Sequence, residues 1–565
     1  MKATGIERSK YFPIILRTQV FIAGASIMVL ELLGSRMLAP FYGSTLFVWG
    51  SLIGVVLLGL SIGYSYGGKR ADLNSSYMAF SLLIFGAGTY ILVATLVSAD
   101  IFKFVLALNL GERYGPLAAA ILFLAIPSFL LGAVSPYAIK LSTKSLASVG
   151  KTAGNLYSLS TMGSIVGTFA TTFILIPELG ISTILYSLSV ILIIVSFIGL
   201  ASRFRALSVI LIAISLVSSS SPQIMAGGVM YQKDTLYHNL VVQDDPITGV
   251  RTLLLDNHFH SAMDLNDPER IVYSYTKYFH LGLAFKPDVE RVLFIGGGGF
   301  SGPKMFLNDY PRARVDVVEI DQDVIRVAGE YFMVPDDPRL EVFDEDGRIF
   351  LTNTERIYDL IILDAYAKTY VPFHLMTEEF HQLVYDRLSN DGLVISNIIT
   401  SLDGRSSELF MAEYKTMSSV YPSLYVYPVS SDHGRLVQNV MIIAHKSSDT
   451  FTIVELKDRA EGRTKVDLDR ILDRQYDGQI ELDRAIILTD DHAPVENFLN
   501  PLTRRTYVKE IILVNKTVIT SPQDVKMNIE PLRLDRGSII AIVGISVIGL
   551  VVLASYNYAS SKTRL

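Results

Sequence analysis

Four carboxylates and a run of glycines between residues 291 and 364 are spaced for nucleoside chemistry. Arg291 to Ile295 reads as a buried strand, Gly296 to Gly299 as a loop, and Pro303 to Asn308 as the opening of a helix. Glycines such as Gly296 and Gly298 let the backbone approach a ligand at a helix start. A second strand, Arg314 to Ile320, carries Glu319 near its end, with Asp321 just beyond, where a carboxylate can accept both ribose hydroxyls. A glycine loop alone is weak support, but loop, spacing and acidic residue together point to a nucleoside. Asp346 and Gly347 follow a third strand, where a carboxylate can receive an adenine amino group. A fourth strand, YDLIIL, ends at Asp364, and strand ends line the ligand crevice of a doubly wound sheet. Asp364 should therefore face the reacting atoms.

These elements need a frame. Residues 231–265 show short alternating runs broken by turns, a small β-element, and 280–500 reads as a Rossmann-like α/β domain. Ahead of them, residues 1–230 hold 14 Lys+Arg and 6 Asp+Glu, net +8; the rest holds 35 and 49, net −14. All nine histidines lie in the second part. The chain, 18% charged overall against about 25% in an ordinary soluble domain, is a hydrophobic block joined to an acidic domain. A bilayer span needs about 20 apolar residues. Such runs occur near 12–34, 45–66, 76–98, 116–139, 155–176 and 181–201. A seventh, 206–217, is marginal, and an eighth covers 538–556. The fold class is thus a polytopic helical membrane domain (1–222, six or seven spans) fused to the α/β domain (231–500). A linker (501–537) and a C-terminal membrane helix follow.

Lys and Arg residues fall in alternate connections, which places the N-terminus in the cytoplasm and the chain in the cell membrane as a multi-pass protein. The side of the acidic domain turns on whether 206–221 spans. Glu31 and Arg36 near the end of the first span are either an interfacial pair or a polar site in the bundle, and glycines at four-residue spacing suit close helix packing. An acidic domain without a basic stripe excludes nucleic acid as an expected partner. With no cysteine, disulfides and thiolate chemistry are excluded.

With these residues assembled, 231–500 resembles the spermidine synthase (polyamine aminopropyltransferase) family. The whole chain is similar to its membrane-fused branch, through LELLGSRMLAPFYGST and GNLYSLSTMGSIVGTFATTFILIPELG. The resemblance implies a methyltransferase-like Rossmann fold behind a small β-domain. It further implies S-adenosylmethionine or its decarboxylated form as co-substrate, with no metal. Glu319 would hold the ribose and Asp346 and Gly347 the adenine, while Asp364 would take a proton from the attacking amine. His260 falls where the family has a glutamine near the thioether. Three acidic positions differ. The loop reads Gly299, Phe300, Ser301 where an aspartate usually holds the cofactor amine. The Tyr-His-Glu cluster falls at Ser274, Tyr275 and Thr276, and the second loop aspartate at Ala367. A diamine dication would then be desolvated with few partners.

Tyr366 and Tyr370 flank Asp364 as pocket wall or packing, with Tyr366 taken as a catalytic candidate. Tyr275 and Asp491 are candidates for the substrate side, Asp491 from the stretch LTDDHAPVENFL, read as a loop beside the site, a solvated turn or, least favoured, a metal site. His258, His260 and His280 are placed near the cleft entrance, and 457–485 is read as a solvated charged helix. The expected activity is alkyl transfer from the nucleoside to a small-molecule amine or a membrane-associated acceptor. The alternatives are a methyltransferase, or a non-enzymatic nucleoside or polyamine sensor or transporter. Lipid is an expected partner, and a homodimer is left open.

Overall fold

The computed structural model describes residues 9–520 except 44, 74, 109, 144, 221–227, 367–370, 405, 431–433, 504–508 and 514–515. It divides into two units, residues 1–224 with 529–565 and residues 225–528.

In the first unit, six helices among the described residues are long and apolar enough to cross a membrane. They are Phe12–Tyr42, Leu46–Leu73, Tyr77–Leu96, Arg113–Ser142, Leu146–Glu178 and Ile181–Gly199. The marginal seventh run lies inside a helix, Ser202–Ser220, and the eighth lies outside the described residues. Glycine rows bring backbones together, as small residues allow. A Cβ on Gly67 would come within 2.6 Å of the Ala133 carbonyl oxygen, and one on Gly167 within 2.5 Å of that of Ala25. Each of the fourth and fifth long helices contains a five-residue π turn, Ile121–Ala125 and Thr171–Leu175, just ahead of an Ile-Pro pair. A proline lacks the N–H that would bond the preceding turn, so a break in the α ladder there is expected.

The second unit opens with four antiparallel strands in sequence order: β1 Val229–Asp234, β2 Asn239–Asp245, β3 Val250–Leu255 and β4 His258–Asp264. Alternation decides their faces, so that Leu240, Val242, Leu253 and Met263 are buried with Val324, Val327 and Phe332 from the next layer. A seven-stranded sheet follows, from β5 Arg291–Ile295, β6 Arg314–Glu319, β7 Leu340–Asp344, β8 Tyr358–Leu363, β9 Leu388–Thr400, β10 Ser423–Pro428 and β11 Gln438–His445. Its order is β10-β11-β9-β8-β5-β6-β7, with β11 antiparallel to both neighbours and the other pairs parallel. Strands β5 and β8 are nearly all apolar because helices cover both faces, the pattern of a parallel sheet.

Two expectations change. Within 501–520, assigned to a linker, residues Lys509–Leu513 and Lys516–Thr520 pair as two antiparallel strands, for which KEIIL and KTVIT carry β-branched residues. The charged stretch 457–485 is not one solvated helix. It contains the end of helix Ile453–Ala460 and helix Leu468–Leu472, with Ala460, Leu468, Ile471 and Leu472 in the core.

Candidate active site

Because β5 and β8 are adjacent and parallel, the chain reversals after Ile295 and Leu363 lie side by side. The Asp364 N–H donates to the Ile295 carbonyl at 2.9 Å. Gly296 takes φ 99°, and a Cβ there would lie 2.5 Å from the Asp364 carbonyl oxygen. Only glycine suits both the angle and the space. Gly298 also has positive φ, 50°, with the Ser261 hydroxyl 2.8 Å from where a Cβ would stand. Ser261 accepts from the Gly299 N–H at 2.9 Å, so the β-element roofs the glycine loop. Beneath it, Lys304 donates to the Phe332 carbonyl at 2.6 Å, and burial pushes its ammonium down to about 8.

Glu319 ends β6 facing this loop. Its Oε2 accepts from the N–H groups of Gly297 (2.9 Å) and Gly298 (3.3 Å), and its Oε1 from that of Asp321 (3.1 Å). Burial pushes its carboxyl up, and the three backbone donors pull the other way. Asp321, expected at the cofactor, instead caps the helix Gln322–Tyr331 through Asp323 N–H and accepts from Thr235 at 2.5 Å. Its short side chain reaches local donors first. Thr235 begins a turn that brings His238 to the same spot. Burial opposes the charged ring, yet Asp256 at 2.8 Å, with Asp321 and Glu319 beyond, outweighs it and raises the His238 pKa.

Asp346 caps the helix Gly347–Asn353, its Oδ1 accepting from Arg348 and Ile349 N–H groups, while Oδ2 meets His374 Nε2 at 3.0 Å. The His374 bond is the main cause of its lowered pKa. Gly347 abuts Ile295, where a Cβ would lie 2.5 Å away. Arg348 makes a two-pronged pair with Asp490 at 2.7 and 2.6 Å and donates to the His374 carbonyl at 3.1 Å; Thr377 donates to Asp490 at 2.8 Å. The TDD stretch therefore clamps the segment after β8, through Asp490. Asp491, the residue expected there, is exposed.

Asp364 is half-buried, and Asn397 of β9 donates to its Oδ1 at 2.7 Å. Tyr366 is 7% exposed, its hydroxyl donates to the Leu375 carbonyl at 2.8 Å, and burial drives its pKa far up. Tyr275 is buried, with its hydroxyl on the His260 carbonyl at 3.3 Å, so it braces the β4 residue that carries the candidate imidazole. His280 is not at an entrance. It is fully buried against Asp309 at 2.9 Å, because the helix Ser301–Asp309 covers it. Ala367 and Tyr370 lie outside the described residues. Among the described residues no group of three or more metal-ligating side chains converges.

Sequence reasoning missed His238, His374, Arg348, Asn397 and Asn439, and within the LTDDHAPVENFL stretch it took Asp491 rather than Asp490. The signal for Asn397 was available, since an amide inside the apolar run LVISNII is costly unless paired.

The second unit has a Rossmann-type α/β fold, with the glycine loop and the carboxylates at the strand ends of one sheet edge. Residues 273–449 match the family described as spermine/spermidine synthase domain. A polyamine aminopropyltransferase of Vibrio vulnificus is 29% identical over 215 residues, 37% of this chain and 70% of that protein. An eEF1A lysine and N-terminal methyltransferase of Xenopus laevis is 29% identical over 185 residues, 31% of this chain and 25% of that one. Among solved structures, a probable spermidine synthase from Corynebacterium glutamicum aligns with TM-score 0.36 and 22% identity, covering 44% of this chain and 89% of its own. The second unit is spermidine synthase-like, and the protein is a transferase.

Proposed function

We propose that the protein transfers an aminopropyl group from a decarboxylated S-adenosylmethionine-type nucleoside to an amine, and that the six long helices hold it in a membrane. The observation that carries this reading is that Glu319, at the end of β6 and bonded to the glycine loop, and Asp364, just past the end of β8, flank the β5 strand that leads into that loop. Glu319 would accept the ribose hydroxyls, and the glycine loop would let the sulfonium carbon come close to Asp364. The acceptor nitrogen forms a bond to that carbon as the carbon–sulfur bond breaks. The bonding pair leaves with sulfur, which becomes a neutral thioether. The amine proton passes to the Asp364 carboxylate. Holding acceptor and carbon together supplies much of the acceleration, and a fixed carboxylate adds general-base catalysis.

Methyl transfer is the second reading. It is supported by Gly299 in the place of the amine-holding aspartate and by the similarity to the Xenopus methyltransferase. Incubation of the full chain with each nucleoside and a panel of mono-, di- and triamines separates them. Aminopropyl transfer releases methylthioadenosine and methyl transfer releases S-adenosylhomocysteine. Asp364→Asn is expected to abolish release while keeping nucleoside affinity; an active variant removes Asp364 as the base.

A further inference from the structure

Strand β9 carries a buried amide within the largely apolar run LVISNII. Asn397 is 4% exposed, and Asn439, diagonal to it across the β9–β11 pair, is 3% exposed. Two amides buried in a sheet cost free energy unless their groups are bonded, and here they form a chain. Asn439 Nδ2 donates to Asn397 Oδ1 at 2.9 Å, and Asn397 Nδ2 donates to Asp364 Oδ1 at 2.7 Å. The two bonds agree in direction. With its oxygen taken by Asn439, the Asn397 amide presents its N–H, not its carbonyl, to the carboxylate. The backbone is equally set, because Ser396 pairs with Leu363 in the parallel ladder, so Asn397 and Asp364 are the next residues along each strand.

We propose that Asn397, oriented by Asn439, is a positioning residue that fixes the Asp364 carboxylate for proton transfer. It rests on the reading of Asp364 as the base. The Asn397 donor on Oδ1 fixes the orientation of the carboxylate and favours the charged form that the reaction needs. Among the described residues, ionisable groups at this end of the sheet include Glu319 on β6, Tyr366 on the same loop as Asp364, and the buried His381–Glu413 pair beside Ser396. The variants below leave all of them in place.

Protonation of Asp364 can be followed without any acceptor. Infrared difference spectra of the full chain in detergent would be recorded against pH, with the carboxyl band assigned by its loss in Asp364→Asn. Asn397→Ala removes a donor to a charged acceptor, and the midpoint is expected to rise by about one to two pH units. Asn439→Leu, which adds no charge and leaves Asn397 in place, is expected to raise it by a smaller amount. If Asn397→Ala fails to fold, Asn439→Leu carries the test. An unchanged midpoint in a folded variant overturns the proposal. Methylthioadenosine release is then measured with the same variants, with an expected fall in kcat of about a hundredfold at unchanged nucleoside affinity. Should no amine release methylthioadenosine, aminopropyl transfer fails as a reading, whereas the midpoint shift would still stand for the amide chain.

Discussion

Gly296→Ala should cost both stability and rate at the junction of the two strands. At φ 99° an alanine is strained by about 1–3 kcal/mol. Its methyl would sit 2.5 Å from the Asp364 carbonyl oxygen and 2.8 Å from the carbonyl carbon, where ordinary contact begins at 3.4 Å. To relieve this, the Asp364 backbone has to retreat by roughly 1 Å, and a misplacement of that size costs about a hundredfold in rate. Gly329→Ala is the matched control: the position is helical with nothing within 4 Å, so the change should stabilise by about 0.5–1 kcal/mol. Thermal unfolding and methylthioadenosine release would be read on both variants. A Gly296→Ala protein as stable and as active as wild type would refute the close packing of the glycine loop on Asp364.

Nucleoside affinity should carry an acid limb displaced upward. Burial raises the Glu319 pKa above its ordinary 4.5, so the accepting carboxylate is lost at higher pH than usual as pH falls, and affinity falls with it. Calorimetric titration across pH should show this limb in wild type and not in Glu319→Gln; a limb kept in the variant assigns it elsewhere. The Arg348–Asp490 pair is partly exposed, 25% and 44%, so Arg348→Met should cost no more than about 1 kcal/mol of stability. It should nonetheless free the segment around His374, read as faster chymotrypsin cleavage at the exposed Phe373. Unchanged cleavage would mean that the clamp does not hold the segment.

The candidate site was legible where its signal is local. Gly296, Glu319, Asp346 and Asp364 each sit at the end of an apolar strand run, and a parallel sheet brings such ends to one edge. The residues read less well depend on partners far along the chain. Asp490 and Asp491 are indistinguishable in sequence, and Arg348, 142 residues earlier, selects the first. His280 resembled a cleft histidine until the helix Ser301–Asp309 covered it. Tyr366 follows the catalytic candidate by two residues, but its hydroxyl belongs to Leu375.

Composition and periodicity alone determined the division into a net +8 apolar block and a net −14 domain, the α/β class of that domain, and the glycine and carboxylate positions. These follow from side-chain polarity and from the repeats of strand and helix, which act over a few residues. Tertiary structure alone decided that Asp321 is a cap, that Asp490 is a clamp, and that Asn397 and Asn439 stand behind Asp364. Hydrogen bonds are short and directional, so which polar groups meet is set by strand order and register, and strand order is not written along the chain.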